Sequence, residues 1–161
     1  MGADPEQERI EELRDQVRLA REAIGRIAAE AAVHAPVAAP SPIVVYGTAA
    51  MLHGFYTALE RVFASTARLW NGVPPEGADW HRRLLLAMGS PREGRRPAVL
   101  ASGTLAQLDR YLRFRHLFRN LYVFELAWPE LQPLMAGLPA VAAAVEQDLA
   151  RFDAFLASLR S

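Results

Sequence analysis

Residues Ile10 to Ile27 read IEELRDQVRLAREAIGRI, and the apolar positions Ile10, Leu13, Val17, Ala20, Ile24 and Ile27 recur at intervals of three and four. Successive residues of an α-helix advance by about 100°, so this spacing returns all six to one side of one helix. Leu19 falls off the stripe, and so, mostly, do Glu11, Glu12, Arg14, Asp15 and Arg18. Asp4 can cap the helix with Pro5 at its first position, and acids in the first turns suit the positive end of the helix dipole. The spacing predicts a helix from Asp4 to about Val33.

The same period continues along the chain. Pro36, Pro40 and Pro42 break it, so residues 35–41 are expected to connect two helices. Met51, Leu52, Phe55, Leu59, Val62, Phe63 and Leu69 predict a second helix from about Ile43 to Trp70, ended by Asn71-Gly72. Ile43 to Tyr46 could also form a strand, but no partner strand offers itself. Asp79 is expected to cap a short third helix, Trp80 to Met88. Gly89 to Pro97 reads as a polar loop. A fourth helix should start at Ser102 or Thr104 and run to about Leu126. The last should begin between Pro129 and Pro139 and end near Leu159, with a kink or restart at Gly137-Leu-Pro139. Its stripe is Val141, Val145, Leu149, Phe152, Phe155 and Leu156. Trp70, Trp80 and Trp128 stand near helix ends, where they anchor packing. The expected fold is all-α, a helical bundle in one domain spanning 1–161, with 1–35 an N-terminal helix and 44–159 the core. Amphipathic helices this long leave some apolar stripe uncovered, which suggests that they also serve a subunit interface.

Composition narrows the functional classes. The 161 residues include no cysteine, which excludes thiolate metal sites, disulfides and a cysteine nucleophile. No apolar run reaches membrane-spanning length, and the acidic start does not read as a signal peptide, so the expected location is the cytoplasm. The four histidines lack close ligand spacing, so neither a metal nor another cofactor is expected. No glycine-rich phosphate loop, serine elbow or paired carboxylates appear.

The net charge is zero, yet charge is unevenly distributed. All 18 basic residues are arginine, which fits a coding bias, so their placement carries more than their type. Between Asp79 and Asn120 nine arginines face three acids, a net of +6, leaving −6 for the rest. Such a basic face suits a polyanion, although a merely solvated face has the same composition.

The densest part is LDRYLRFRHLFRNLY, Leu108 to Tyr122. On a helix, Arg115, Arg119 and Tyr122 fall within about 60° of one another, flanked by His116 and Asn120. Paired guanidiniums hold a phosphate and an imidazole moves a proton near neutral pH. Together they are the minimum equipment of a metal-independent ribonuclease. Arg110 and Arg113 extend the cluster as RNA or phosphate contacts. Single arginines here would be ordinary solvent-facing residues; the cluster is not read that way.

Arg115-His-Leu-Phe-Arg-Asn120-Leu-Tyr122 resembles the arginine, four residues, histidine, any residue, tyrosine signature of the HepT toxins in the HEPN superfamily. Gly54 to Phe63 and Asp79 to Leu85 resemble the second and third helices of HepT-like proteins, so the likeness covers roughly Val45 to Leu134. It implies a four-helix HEPN core with an added N-terminal helix, a homodimer with a shared ribonuclease cleft for RNA, and an MNT-type minimal nucleotidyltransferase as antitoxin. It further implies that this partner silences the toxin by AMP transfer to the signature tyrosine, here Tyr122. One departure stands out: Asn120 occupies the place of the family's histidine, and an amide does not exchange protons as imidazole does. His116 can supply the imidazole, since Arg110 and His116 fit an arginine, five residues, histidine spacing. Alternatively, Arg115 and Arg119 bind RNA without cutting it, or the fold persists as a partner of the nucleotidyltransferase.

Outside this helix, Glu60 is a candidate to pair with an arginine of the fourth helix, or else an ordinary exposed acid. His81 is a candidate supporting group near the arginine helix, or else a local packing residue. His53 reads as an interface or packing histidine, and His34 as solvated.

Overall fold

The computed structural model describes residues 4–34, 40–70, 72, 76–120 and 125–159. They form α1 (Pro5–His34), α2 (Pro42–Trp70), α3 (Trp80–Met88), α4 (Ser102–Asn120) and α5 (Trp128–Ser158), with no strand among them. The fold is an all-α helical bundle. No helix among the described residues is long and apolar enough to cross a membrane.

Asp4 starts α1 as its side chain should: Oδ1 accepts from the Glu6 amide at 3.1 Å. Ile10, Leu13, Val17, Ala20 and Ile24 are buried, whereas Leu19 is exposed. This helix is a wall of the bundle. The most extensive packing in the molecule is that of α1 against α5 and then α2. Three polar links fix α1 antiparallel to α5 in one register. Gln7 donates to the Leu159 carbonyl, Arg14 pairs with Asp153 at 3.0 Å, and Arg21 grips Glu146 with two nitrogens.

The segment 43–46, read as either strand or helix, is helical. Ile43 is 80% exposed and Tyr46 lies at the surface, so no sheet is needed to cover them. From Ala49 onward α2 turns into the centre and touches every other helix. Phe55, Tyr56, Leu59 and Phe63 are fully buried there.

Helix α3 keeps its expected bounds, whereas α4 and α5 depart from theirs. Asp79 occupies the N-cap of α3 but makes no side-chain cap hydrogen bond; its backbone carbonyl accepts from Arg83 instead. The helix expected to reach Leu126 is described only to Asn120, and Leu126 itself is not helical. At the C-terminal end, the expected interruption at Gly137-Leu-Pro139 is absent, and α5 runs unbroken through Pro133 and Pro139. Buried Leu134, Met135, Leu138 and Val141 hold both sides of that stretch to the core, offsetting the missing backbone bond. Tyr111 on α4 donates to the Leu134 carbonyl at 2.7 Å, within the same stretch.

The loop after α3 is more than a polar connector. Gly94, at φ 70°, lets Arg92 and Arg96 close a tight turn through mutual backbone bonds of 2.9 and 3.0 Å. The turn directs Arg96 inward, where its guanidinium donates to the Ala87, Ser90 and Pro97 carbonyls. Those carbonyls lie at and beyond the C-terminal end of α3, so Arg96 satisfies groups a helix end leaves open. Asp148 on α5 does the converse at α4, accepting from the Ala101 amide at 3.0 Å.

Because α1 is a wall of the core, Leu13→Ala should cost about 2–5 kcal/mol in urea denaturation, with the transition still cooperative. A loss below about 1 kcal/mol would show that α1 is only loosely attached.

Candidate active site

Helix α4 buries Thr104, Leu108, Tyr111 and Leu112 toward the core, and the same periodicity carries Arg115 inward with them. Arg115 is only 8% exposed. A buried guanidinium requires a partner, because desolvating an isolated charge is prohibitive. Glu60 on α2 supplies it: Arg115 Nη2 lies 2.9 Å from Glu60 Oε1, both side chains nine-tenths buried. The second carboxylate oxygen is also used, with His81 Nδ1 on α3 lying 2.6 Å from Glu60 Oε2. One carboxylate therefore ties three helices together. Trp80 stacks on the His81 ring with centroids 3.6 Å apart, fixing its plane.

The inner region holds further polar atoms. Arg115 Nε and Nη1 are buried without a hydrogen-bond partner in the described structure, as is the Tyr56 hydroxyl. Burial first, and then the charge of Glu60, push the Tyr56 hydroxyl well above its ordinary pKa, so it stays protonated. His53, half-buried on α2, packs against Phe118 with ring centroids 5.3 Å apart. Burial and, next, the positive charges of Arg115 and Arg119 hold its imidazole below the usual 6.5.

The candidate residues thus separate. Glu60, His81 and Arg115 form one buried network. His116 and Arg113 are exposed, and they share with His81 and Arg82 a groove of about 490 Å³ between α3 and α4. Arg113 also pairs with Asp109 at 2.8 Å. Arg119 is exposed beyond Arg115, on the side that bears on His53. Asn120 directs its amide back along its own helix, donating to the His116 carbonyl at 2.9 Å. Arg110 is exposed and, by helical rotation, about 140° from Arg115, so it does not join this cluster. Tyr122 lies outside the described residues.

Two features escaped the sequence reading. One is the link from His81 to Glu60, which depends on how α3 docks. The other is the place of His53 beside the arginines. Its signal was present, since residues 53 and 60 stand seven apart, two turns along one helix face. No group of three or more His, Asp or Glu side chains that could hold a metal comes together among the described residues.

A small all-α bundle whose signature-bearing helix carries an inward, carboxylate-bound arginine defines the class. The family model described as HepT-like protein matches residues 47–156, and the chain belongs to this HepT-like family. No curated protein and no solved structure matches the chain.

The ion pair and the histidine each yield a measurable expectation. Glu60→Ala should destabilise the fold by about 3–5 kcal/mol by leaving a buried guanidinium uncompensated. Adding Arg115→Met should recover a large part of that loss in urea denaturation, and strict additivity would mean the two residues are uncoupled. His53 should titrate below 6.5 in histidine NMR. The unfolded chain then takes up this proton first, so its contribution to stability is present above that pH and lost as pH falls below it.

Proposed function

We propose that the chain is a HepT-like toxin: a metal-independent endoribonuclease acting as a homodimer and silenced by AMP transfer from a partner nucleotidyltransferase to Tyr122. The observation that carries the reading is the buried Arg115–Glu60 ion pair, which joins the signature helix α4 to α2. It fixes one guanidinium rigidly on the side of the helix that carries Arg119, while Arg113 and His116 line the groove between α3 and α4. A preorganised cation stabilises charge developing on a phosphodiester without reorganising, and an adjacent imidazole handles the protons. In this reading Arg119 and Arg113 meet the RNA phosphates, Arg115 supplies fixed positive charge, and His116 provides the imidazole that Asn120 does not. The homodimer is supported by exposed apolar side chains beside this helix: Ile43, Val44 and Tyr46 on α2 and Leu117 on α4. A second copy of the chain would cover them.

A specific observation favours a second reading, a module that binds RNA or its partner without cutting. The Asn120 amide is engaged by the His116 carbonyl, at the position where the family carries its proton-transferring histidine.

Incubating the full chain with tRNA and mRNA in EDTA separates the two. The first reading expects cleavage, and expects Arg119→Ala to slow it by about 10²-fold or more while the fold is unchanged, as for loss of one transition-state donor. RNA binding without cleavage would establish the second. With the neighbouring nucleotidyltransferase and ATP, mass spectrometry should show addition of whole AMP units that Tyr122→Phe abolishes. An adduct surviving Tyr122→Phe would remove Tyr122 from that role.

A further inference from the structure

We propose that His81, held by Glu60, is the general base of the cleavage reaction, and that the scissile phosphodiester lies in the groove between α3 and α4, with His116 as the general acid. This rests on the ribonuclease reading above and names the catalytic pair within it.

The argument begins with the hydrogen bond of 2.6 Å between Glu60 Oε2 and His81 Nδ1. A carboxylate only accepts, so the shared proton belongs to Nδ1. A neutral imidazole in that tautomer carries its lone pair on Nε2. His81 Nε2 has no protein partner among the described residues, and the ring lines the groove. The carboxylate does for this histidine what it does in catalytic dyads: it sets the tautomer, orients the ring and stabilises the imidazolium that forms on proton uptake. Glu60 cannot swing away, because Arg115 holds its other oxygen. The stacked Trp80 restricts the ring further. Arg115 is thus a positioning residue for His81 as well as a fixed charge.

The second wall of the groove comes from α4 and carries His116, with Arg113 alongside. Arg82 adds a cation from the α3 wall. Asp79 and Asp109 line the groove as well, and Asp109 pairs with Arg113, so the space offers a phosphodiester with a neighbouring hydroxyl two imidazoles and the guanidinium of Arg82. His81 Nε2 takes the proton of the ribose 2′-hydroxyl, and the 2′-oxygen forms its bond to phosphorus. The bond from phosphorus to the 5′-oxygen breaks, and protonated His116 gives that oxygen its proton. The products are a 2′,3′-cyclic phosphate and a 5′-hydroxyl, and no oxidant, reductant or further reactant enters. In this arrangement Asn120 is not required to move a proton.

The test compares wild type, His81→Gln and His81→Ala on a mixed pool of tRNA and mRNA in EDTA, with end-group analysis of the products. The proposal expects cyclic-phosphate ends, a rate about 10²–10⁴-fold lower for His81→Gln with RNA affinity retained, and recovery of His81→Ala by added imidazole. A purely structural role for His81 would give no imidazole rescue. Cleavage by His81→Gln at the wild-type rate, or loss in His81→Ala that imidazole does not restore, overturns the assignment while leaving the ribonuclease reading intact. No cleavage by the wild-type chain overturns both. Histidine NMR on the unaltered chain guards against a variant that fails to fold. An uncleavable 2′-deoxy oligonucleotide should shift the His81 and His116 signals and leave His34 unmoved; an unshifted His81 overturns the assignment.

Discussion

A single carboxylate, that of Glu60, governs the arrangement of this molecule's chemistry. Its two oxygens bind a guanidinium from α4 and an imidazole from α3, all within the packed interior. Burying Arg115 without it would leave a desolvated charge, and its removal would also free the His81 ring. The position of the signature helix against α2, and the seating of α3 on both, are therefore consequences of one electrostatic requirement as much as of apolar packing. The same requirement separates the arginines by role. Arg115 is fixed inside, while Arg113 and Arg119 remain available at the surface.

Beyond that centre, much of the scaffold follows from polar side chains placed at helix ends and along one long interface. Arg96 closes the C-terminal end of α3, and Asp148 meets the start of α4. Both act on the two helices that wall the groove. Along α1 and α5, the Arg14–Asp153 and Arg21–Glu146 pairs choose one register from those an apolar stripe alone would tolerate. Such partly exposed pairs contribute little stability individually and serve mainly to specify alignment.

The helices and their apolar stripes were legible in the sequence because three-and-four spacing is a local property. The stripe of α1 and most of that of α5 lie inward as read, with Phe155 only partly buried. The pairing of Glu60 with an arginine was legible as an option, since an acid on one helix and arginines on another have few other uses inside a bundle. What could not be read was which arginine goes inside. Arg115 shares the inward phase with Leu108 and Tyr111, yet charge argues for solvent, and only the approach of Glu60 reverses that preference. Arg96 was read as loop polarity for the same reason. His81 depended on how helices cross, which no local pattern encodes. The proline-bearing start of α5 misled in the other direction: local propensity predicts an interruption that tertiary packing overrides.

The antiparallel match of α1 with α5 has a consequence for how the molecule comes into being. Arg21 and Glu146 are 125 residues apart, and nearly the whole chain must be synthesised before they meet. Until then the apolar stripe of α1 has only α2 to cover it. Contacts so distant along the chain slow folding, since closure of a large loop precedes their reward. A ribosome stalled before α5 would release a chain with an open seam, a substrate for quality-control proteolysis.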